Sequence, residues 1–306
     1  MPTPTSAKLG WIGIGRMGYA MAERLAKAGC DLTAWNRTRA KAEPLAAHGA
    51  KIAAKPAELA GCEIVFVTVA AGKELLESIE ALLAGGGAPK IVVDITSVSV
   101  EDSARARARL AAAGAQLLAA PVSGNAKVIK AGKLSFVVSG PKDAYERAAP
   151  YLALMGKGAA YVGEGELARI AKICHNVFLG VVIQSLAEIT VLANKAGMPR
   201  HAFLEFLNQS VMGSTFSRYK SPALVSLDFS VTFTPELLKK DLDLGLEAGR
   251  SLGAPLPLAS VTRDALQALI GNGYGGSDFA ALILMQAKAA GMSLAPENVA
   301  LDDGLH

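Results

Sequence analysis

Three glycines near the start of the chain have the spacing that binds a dinucleotide. Gly13, Gly15 and Gly18 form the pattern G-x-G-x-x-G between an apolar run, Leu9 to Ile14, and a helical one, Met17 to Ala28. The first glycine of such a turn allows a tight bend, the second lets the backbone approach a pyrophosphate, and the third lets the helix pack closely on the strand. The pyrophosphate then lies at the positive N-terminal end of the helix. We therefore predict a dinucleotide site made by Gly13, Gly15, Arg16, Met17 and Gly18.

The end of the second predicted strand indicates which dinucleotide binds. Sites for NAD usually carry an acidic residue there, which binds the ribose 2′-hydroxyl. This chain instead has Asn36, Arg37 and Thr38. A guanidinium flanked by an amide and a hydroxyl suits a 2′-phosphate, so these residues predict a preference for NADP over NAD. The alternative, a solvated Arg37 with no role in binding, leaves NAD possible.

Short β-type runs alternate with helical stretches over the first half of the chain. The predicted strands are Leu9 to Ile14, Asp31 to Trp35, Glu63 to Val69, Lys90 to Ile95, Ala115 to Leu118, Leu134 to Ser139 and Ala159 to Val162. The helices between them include Met17 to Ala28, Lys73 to Ala84, Val100 to Ala113 and Lys142 to Met155. Apolar strands that alternate with helices predict an α/β domain with a doubly wound parallel sheet.

After Val162 the sequence predicts only helices. A long one spans Glu166 to Ala196, and others follow at Arg200 to Asn208, Pro235 to Leu252, Leu256 to Ile270 and Asp278 to Ala290. The predicted fold is an N-terminal Rossmann-type doubly wound sheet followed by an all-α C-terminal domain joined by a long helix. We predict a dinucleotide-binding domain over residues 1–162, a helical domain for substrate binding and oligomerisation over 163–295, and loose ends at Met1 to Ala7 and Pro296 to His306.

Composition excludes several other classes of protein. The chain has 306 residues, 51% of them apolar, which is enough for a core in each of two domains and excludes intrinsic disorder. The three cysteines, Cys30, Cys62 and Cys174, lie far apart, so we predict neither a disulfide framework nor a metal site. The net charge is only +4, without basic runs, which favours a small anionic partner over nucleic acid. A signal-peptide pattern and an uncharged apolar run of about 18 residues are both missing, so we predict a cytoplasmic protein outside membranes.

Four longer motifs make the chain resemble the β-hydroxyacid dehydrogenase family, which includes 3-hydroxyisobutyrate dehydrogenase and 2-hydroxy-3-oxopropionate reductase. They are WIGIGRMGYAMAERLAKAG at Trp11 to Gly29, APVSG at Ala120 to Gly124, AKICHN at Ala171 to Asn176 and KDLDLGLEAG at Lys240 to Gly249. The resemblance spans nearly the whole chain. It implies a Rossmann domain joined by a long helix to a helical domain, with the active site in the cleft between them. It also implies an NAD(P)-dependent enzyme that interconverts a small carboxylated 3-hydroxy acid and its semialdehyde.

Lys172 is the residue that the resemblance places at the chemistry. Lys172 and Asn176 are four residues apart, so both project from one face of the long helix. Reduction of an aldehyde needs a hydride and a proton donor at the developing alkoxide, and a lysine can supply the proton while its charge stabilises the oxyanion. The family lysine that matches Lys172 has this role, and the asparagine that matches Asn176 orients the substrate or the lysine. Without the motif, a solvated helix lysine is the better interpretation.

The resemblance also implies a substrate-binding segment. Ser123 and Gly124, expected in a loop after a strand, match a segment whose N–H groups and hydroxyl bind the substrate carboxylate. Asn125 stands where the family usually has a second glycine, so it would narrow that pocket or add a hydrogen bond. Lys240 matches a family lysine near both cofactor and substrate. Asp241 is expected to cap or pair within its own helix.

Further cofactor contacts are expected at the carboxyl ends of the strands, where ligands bind in open α/β sheets. Val69 and Ala70 follow the third predicted strand. Ser97, with Thr96 before it, follows the fourth, and we favour Ser97 as a contact to the nicotinamide half. Phe233 matches a family position at the cofactor.

The chain departs from the family pattern near Lys172 as well. The Gly-x-Gly-Gln type of turn that usually precedes the catalytic lysine is here Glu166-Leu167-Ala168-Arg169, which loses both glycines and adds a pair of charges. His175 replaces a common asparagine, and we expect a packed or hydrogen-bonded helix residue there, not a proton shuttle. The flanks of Cys174 predict a buried helix position with no role as a nucleophile.

Two other functions remain as alternatives. Imine reductases share the predicted architecture, and non-catalytic dinucleotide-binding modules occur among chromatin-associated relatives. Both usually lack a lysine at the position of Lys172, which favours the dehydrogenase. The apolar runs Val177 to Ile183 and Leu256 to Ile270 predict a homodimer or homotetramer. The identity of the small anionic substrate does not follow from the sequence.

Overall fold

The computed structural model describes residues 7–305, so the predicted loose segment Met1 to Ala7 lies outside them except for its last residue. Contacts divide the chain between Lys172 and Ile173 into two compact units.

The first unit contains a parallel sheet of six strands. The strands are β1 (Leu9–Ile12), β2 (Leu32–Trp35), β3 (Lys51–Ile52), β4 (Ile64–Val67), β5 (Ile91–Asp94) and β6 (Gln116–Ala119). Their order is β3-β2-β1-β4-β5-β6, with Leu9 paired to Leu32 on one side and to Ile64 on the other. This is the strand order of a Rossmann sheet, whose direction of winding reverses between β1 and β4. The predicted fold class is confirmed.

Helices cover both faces of this sheet, because its central strands are apolar on both sides. They are α1 (Arg16–Lys27), α2 (Gly72–Leu83), α3 (Val100–Ala111), α4 (Ala126–Lys130) and α5 (Lys142–Met155). All four residues of β1, β4 and β5 are buried. Trp11 and Phe66 stack at 5.2 Å within one apolar cluster, whereas Ile12 and Val67 belong to the cluster on the other face. Such two-sided burial is what a parallel sheet requires.

A second, small sheet corrects the prediction of one continuous sheet. It consists of β7 (Val122–Ser123), β8 (Ser135–Val138) and β9 (Gly158–Tyr161), in that order. The strands predicted at Leu134 to Ser139 and Ala159 to Val162 form here instead of in the main sheet. The reason is the pairing: β8 takes β7 as an antiparallel partner on one side and β9 as a parallel partner on the other, and the bridge between Ala119 and Ser139 joins this sheet to the end of β6.

The described residues of the second unit form helices without strands. Helix α6 (Leu167–Lys195) begins in the first unit and continues into the second, where it is followed by α7 (Arg200–Gln209), α8 (Thr215–Ser226), α9 (Pro235–Leu252), α10 (Pro257–Leu269) and α11 (Leu282–Ala289). The sequence did not predict α8, which contains Pro222 and several serines, all poor helix formers. The helix predicted from Asp278 is a 3₁₀ turn, Phe279–Ala281, before α11 begins.

Helix α6 is long and apolar enough to cross a membrane by length and composition alone. In the structure 44% of its most apolar 18-residue window is buried, and core helices of soluble proteins pass the same test. Helix α9 packs closely against it because Gly245 has no side chain: a Cβ there would lie 2.2 Å from the Cγ2 atom of Val177.

The predicted loose end from Pro296 onward is anchored at its start. Glu297 accepts hydrogen bonds from the backbone N–H groups of Arg200 and His201, at 2.9 and 3.0 Å. Burial raises the pKa of Glu297, but these donors outweigh it and hold the pKa below its ordinary value. The expectation of a loose segment is therefore wrong at Glu297.

Candidate active site

The Gly-rich turn has the geometry of a phosphate cradle. Gly13 has φ +96°, and a Cβ there would lie 2.0 Å from the Thr68 carbonyl oxygen. A Cβ at Gly18 would lie 2.1 Å from the Gly13 carbonyl oxygen, so α1 can approach β1 only without a side chain. Gly15, in contrast, faces open space. No side chain caps the first turn of α1 and no acidic residue lies in it, so the N–H groups around exposed Arg16 and half-buried Met17 suit an anion.

Asn36 connects this turn to the end of β2. Its Oδ1 accepts a hydrogen bond from the Ile14 N–H at 2.8 Å, and its Nδ2 donates to the Thr38 carbonyl at 2.8 Å. The side chain of Asn36 therefore links the Gly-rich turn to the loop after β2. Arg37 and Thr38 are exposed beside it.

The loops after β4 and β5 are joined by a threonine. Thr96 is 2% exposed, and its hydroxyl accepts a hydrogen bond from the Val69 N–H at 3.1 Å. The Thr96 N–H in turn donates to Oδ1 of Asp94, the last residue of β5, at 2.9 Å. Ala70 and Ser97 are exposed next to these anchors. The predicted contacts Val69, Ala70 and Ser97 thus lie on neighbouring loops at the edge of the sheet where cofactors bind.

Arg169 fixes the start of α6 through partners that the sequence did not predict. The guanidinium donates to Oδ2 of Asp94 at 2.5 Å, to the Thr96 carbonyl at 2.5 Å and to the Ser103 hydroxyl at 3.1 Å. The Arg169 and Asp94 side chains are 1% and 0% exposed. Burial raises the pKa of Asp94, while Arg169 and Thr96 oppose that shift. An aspartate at the end of an apolar strand was the one signal in the sequence that could have identified this network.

Glu166 and Arg169 have separate partners, contrary to the expected pair of charges. Arg107 donates from Nε to the Glu166 carboxylate at 2.7 Å and from Nη2 to the Gly165 carbonyl at 2.8 Å. The Ser139 hydroxyl accepts a hydrogen bond from the Ala168 N–H at 3.0 Å. The lost glycines are thus replaced by side-chain anchors from distant parts of the first unit.

Lys172 lies half-buried one turn of α6 after Arg169, and Asn176 follows one turn later. Asn176 is 7% exposed, and its Nδ2 donates to Oδ2 of Asp241 on α9 at 2.6 Å. The other Asp241 oxygen is 3.4 Å from Nζ of Lys240, whose side chain is 53% exposed. Asp241 therefore pairs within its own helix as expected, and it also accepts a hydrogen bond from a residue of another helix, which the sequence did not predict. Nδ1 of His175 lies 2.9 Å from Oδ1 of Asn176.

Phe233 is held in the second unit by a buried ion pair. Oδ1 of Asp278 lies 2.6 Å from Nζ of Lys220, and Oδ2 accepts from the N–H groups of Thr232 and Phe233 at 3.0 and 3.3 Å. The Phe233 ring packs edge-on against Phe279 at 6.0 Å. The half-buried Phe233 is thus part of the helical core in addition to its predicted role at the cofactor.

The predicted carboxylate-binding segment differs from an open loop. Ser123 belongs to β7, because the chain pairs with β8 directly after Pro121. Gly124 has φ +138°, and a Cβ there would lie 2.8 Å from Val128. Oδ1 of Asn125 caps α4 by accepting from the N–H groups of Lys127 and Val128 at 3.0 and 3.1 Å. The amide oxygen of Asn125 is therefore engaged in the cap, and the predicted contact of this side chain with substrate stays a prediction.

Cys174 is exposed, so the prediction of a buried thiol is wrong: it lies on the opposite side of α6 from buried Asn176. Within residues 7–305 no three His, Cys, Asp or Glu side chains gather in a metal-ligand cluster.

Family models match both units. Residues 8–163 match the NAD-binding domain of 6-phosphogluconate dehydrogenase, and residues 165–286 match the model described as NAD-binding of NADP-dependent 3-hydroxyisobutyrate dehydrogenase.

Individual proteins are also similar to this chain over most of its length. The chain is 32% identical to glyoxylate/succinic semialdehyde reductase 2, chloroplastic, of Arabidopsis thaliana, over 91% of this chain and 79% of that protein. It is also 32% identical to the cytokine-like nuclear factor N-PAC of Xenopus tropicalis, over 85% of this chain but only 50% of that protein. The solved structure of 3-hydroxyisobutyrate dehydrogenase with L-serine from Mycobacterium tuberculosis superposes with a TM-score of 0.80, at 27% identity, over 92% of this chain and 99% of that one.

A Rossmann sheet with an open phosphate cradle, followed by a helical unit, defines a dinucleotide-binding protein. The chain belongs to the 3-hydroxyisobutyrate dehydrogenase family of β-hydroxyacid dehydrogenases and is an NAD(P)-dependent dehydrogenase or reductase that acts on hydroxyl groups.

Proposed function

We propose that this protein is an NADP(H)-dependent oxidoreductase that interconverts a small carboxylated 3-hydroxy acid and its semialdehyde. The observation that carries the proposal is the arrangement on α6. Lys172 and Asn176 lie one turn apart, and Asn176 is fixed by its 2.6 Å hydrogen bond to Asp241. A lysine held beside an oriented amide suits proton transfer to an oxygen.

The residues of the first unit fit a dinucleotide. The space in front of Gly15 and the uncapped first turn of α1 would hold the pyrophosphate. The loops that carry Val69, Ala70 and Ser97 would hold the nicotinamide half. When bound, NADPH supplies a hydride from C4 of its nicotinamide.

The protein groups supply the rest of the reduction. Lys172 holds the proton that passes to the aldehyde oxygen as that oxygen becomes an alkoxide, and its positive charge stabilises the developing negative charge. Ser123 and the backbone around Gly124 bind the substrate carboxylate. Asn176 orients the reacting oxygen or the lysine. Lys240 and Phe233 stay as predicted contacts for substrate and cofactor.

The experiment that tests this proposal compares the wild type with Lys172→Ala. NADPH oxidation is measured with the semialdehydes of tartronate, methylmalonate and succinate, with glyoxylate and with sulfolactaldehyde, and NADPH binding is measured separately by fluorescence. We expect turnover to fall by about 10²- to 10⁴-fold in Lys172→Ala, the range for loss of a general acid, with NADPH binding unchanged. Unchanged turnover contradicts the proposal.

A non-catalytic role is the second candidate, because the curated relatives include N-PAC, whose name is that of a nuclear factor. A wild type that binds NADPH tightly but reduces no carbonyl compound favours this candidate. Reduction of cyclic imines in preference to semialdehydes would instead favour an imine reductase.

The preference for NADP rests on the loop after β2. Arg37 and Thr38 are exposed there, and no acidic residue occupies positions 36–38. The match of residues 165–286 to the model of an NADP-dependent enzyme supports the same choice. Equal or better catalytic efficiency with NADH would contradict it.

We also propose that the protein forms a homodimer or homotetramer. The apolar runs that predict it contain exposed side chains in the structure: Phe178 is 69%, Leu258 66% and Val261 68% exposed. Such side chains are commonly buried in contacts between subunits. Size-exclusion chromatography with light scattering measures the state directly, and a monomer contradicts the proposal. A cytoplasmic location, with neither nucleic acid nor membrane as partner, stays a prediction.

A further inference from the structure

The first turn of α6 carries a buried arginine where the resemblance leads one to expect a neutral glutamine. Arg169 is three residues before Lys172, so the two side chains leave adjacent turns of the same helix face. With 1% of its side chain exposed, the guanidinium is withdrawn from water. Burial of a charge costs free energy unless the charge is paired and hydrogen-bonded, so the surrounding residues must supply those partners.

The guanidinium of Arg169 binds its three partners as one fork. Its three nitrogens each donate a hydrogen bond, and the acceptors belong to three different parts of the first unit: the end of β5 at Asp94, the loop after it at Thr96, and Ser103 on α3. A planar guanidinium holds several acceptors in fixed directions, which a lysine or a glutamine cannot do. The fork therefore fixes both the position and the rotation of the first turn of α6.

The same network continues to the predicted cofactor loops. Thr96 accepts from the Val69 N–H at 3.1 Å and donates to Asp94 at 2.9 Å. Arg169 thus bonds the residues that fix the loops after β4 and β5, and it stands one helical turn before Lys172.

We propose that Arg169 is a positioning residue, which sets the distance of the Lys172 ammonium from the loops that hold the nicotinamide. This inference rests on the proposed function, because it assigns Lys172 the proton transfer. The Arg169 side chain is 1% exposed and its three nitrogens donate to groups of the protein, so it would act through Lys172 and not on a ligand. Misplacement of a catalytic group by about 1 Å costs on the order of 10²-fold in rate, so loss of the fork is expected to act on turnover more than on binding.

The test compares three variants of the full-length protein: Arg169→Gln, the double variant Asp94→Asn/Arg169→Gln, and Arg200→Gln as the control. Arg200 is a second buried arginine, 2% exposed, whose guanidinium binds carbonyl groups within the second unit. Thermal unfolding, kcat, KM and the pH dependence of kcat are measured for each.

We expect Arg169→Gln to lower kcat by about 10- to 100-fold and to change the pH profile, with little change in KM. Arg200→Gln should lower the melting temperature but keep the wild-type kcat and pH profile. The double variant removes both buried charges, so its stability should recover towards the wild type while its kcat stays low. Recovery of kcat in step with stability would show that Arg169 has only a structural role and would overturn the proposal.

A second readout separates this inference from the proposed function. If the wild type reduces none of the substrates, the proposed function fails, but labelling of Lys172 by trace acetic anhydride still reports the environment of its amine. Mass spectrometry then gives the labelling rate of Lys172 relative to exposed Lys90 in the same molecule. A rate that changes several-fold in Arg169→Gln and not in Arg200→Gln supports the positioning role. An unchanged rate overturns it.

Discussion

The Gly-rich turn and the start of helix α6 position their functional groups in different ways. The turn uses backbone: a Cβ at Gly18 would lie 2.1 Å from the carbonyl oxygen of Gly13, five residues earlier, and a Cβ at Gly13 would lie 2.0 Å from the carbonyl oxygen of Thr68, just after β4. The start of α6 uses side chains, and Arg169 reaches partners 66 to 75 residues away in the sequence. In the second unit, the buried ion pair between Lys220 and Asp278 likewise uses side chains. The glycine spacing of the backbone-built site can therefore be recognised locally, whereas the partners of a buried side chain follow only from long-range folding.

The largest effect is expected where a buried ion pair is broken. Asp278→Asn leaves the Lys220 ammonium, only 3% exposed, without its counter-charge, which costs about 3–5 kcal/mol of the free energy of unfolding. Chemical denaturation measures the loss. The control is Asp264→Asn, a carboxylate 71% exposed beside Arg263, which should change stability by less than about 1 kcal/mol. Equal losses in the two variants would refute the distinction.

Acid should act on the same pair. Burial raises the pKa of Asp278, but Lys220 and the hydrogen bonds from Thr232 and Ala280 outweigh it and hold the pKa below its ordinary value of 3.8. A lowered pKa in the folded state means that the stabilisation is present above about pH 4 and is lost as the pH falls through the folded value. Between neutrality and strong acid, the stability of Asp278→Asn should therefore depend less on pH than that of the wild type. A parallel dependence would contradict this reasoning.

The backbone-built site is broken by a single methyl group. Gly18→Ala places its Cβ against the Gly13 carbonyl, and such overpacking costs about 1–3 kcal/mol of stability. The matched variant Gly15→Ala faces open space, so it should keep the wild-type melting temperature while it weakens NADPH binding, since the methyl group lies where the pyrophosphate is predicted. Thermal unfolding and NADPH titration of both variants test this separation, which fails if Gly15→Ala loses as much stability as Gly18→Ala.

A smaller effect is expected at the edge of the cradle. Arg37→Ala should lower the ratio of NADPH to NADH efficiency about tenfold, which corresponds to about 1.4 kcal/mol of lost interaction with the 2′-phosphate. Arg39→Ala is the control, because the Arg39 guanidinium already lies 3.4 Å from the Glu43 carboxylate. An unchanged ratio in Arg37→Ala would assign the preference to other residues.

The smallest effect is expected next to Lys172. His175→Asn should keep turnover within about threefold of the wild type, because His175 contacts the Asn176 oxygen and is not needed as the proton donor. Steady-state kinetics across the neutral pH range tests this, and a large loss confined to that range would make His175 a proton shuttle.

Local patterns were sufficient for much of the fold. The six-stranded sheet, its helices and the long helix α6 follow from apolar periodicity and from the Gly-rich turn, since these depend on residues close in sequence. Local patterns did not predict the second sheet, because it depends on which strand the short β7 pairs with. They did not predict α8 either, because Pro222 disfavours a helix. The motif around Lys172 identified the segment, but not the partners of Arg169 or Asp241.

By itself, the sequence determined the class of fold, the Gly-rich turn and the helix face that carries Lys172 and Asn176, because apolar periodicity, glycine spacing and a four-residue interval on a helix are local patterns. Only the tertiary structure decided that Asp94 and Thr96 accept hydrogen bonds from Arg169, that Asp241 accepts one from Asn176, and that Asn125 caps α4. Charged and amide side chains can bond many partners, and burial selects one of them only when the segments have packed.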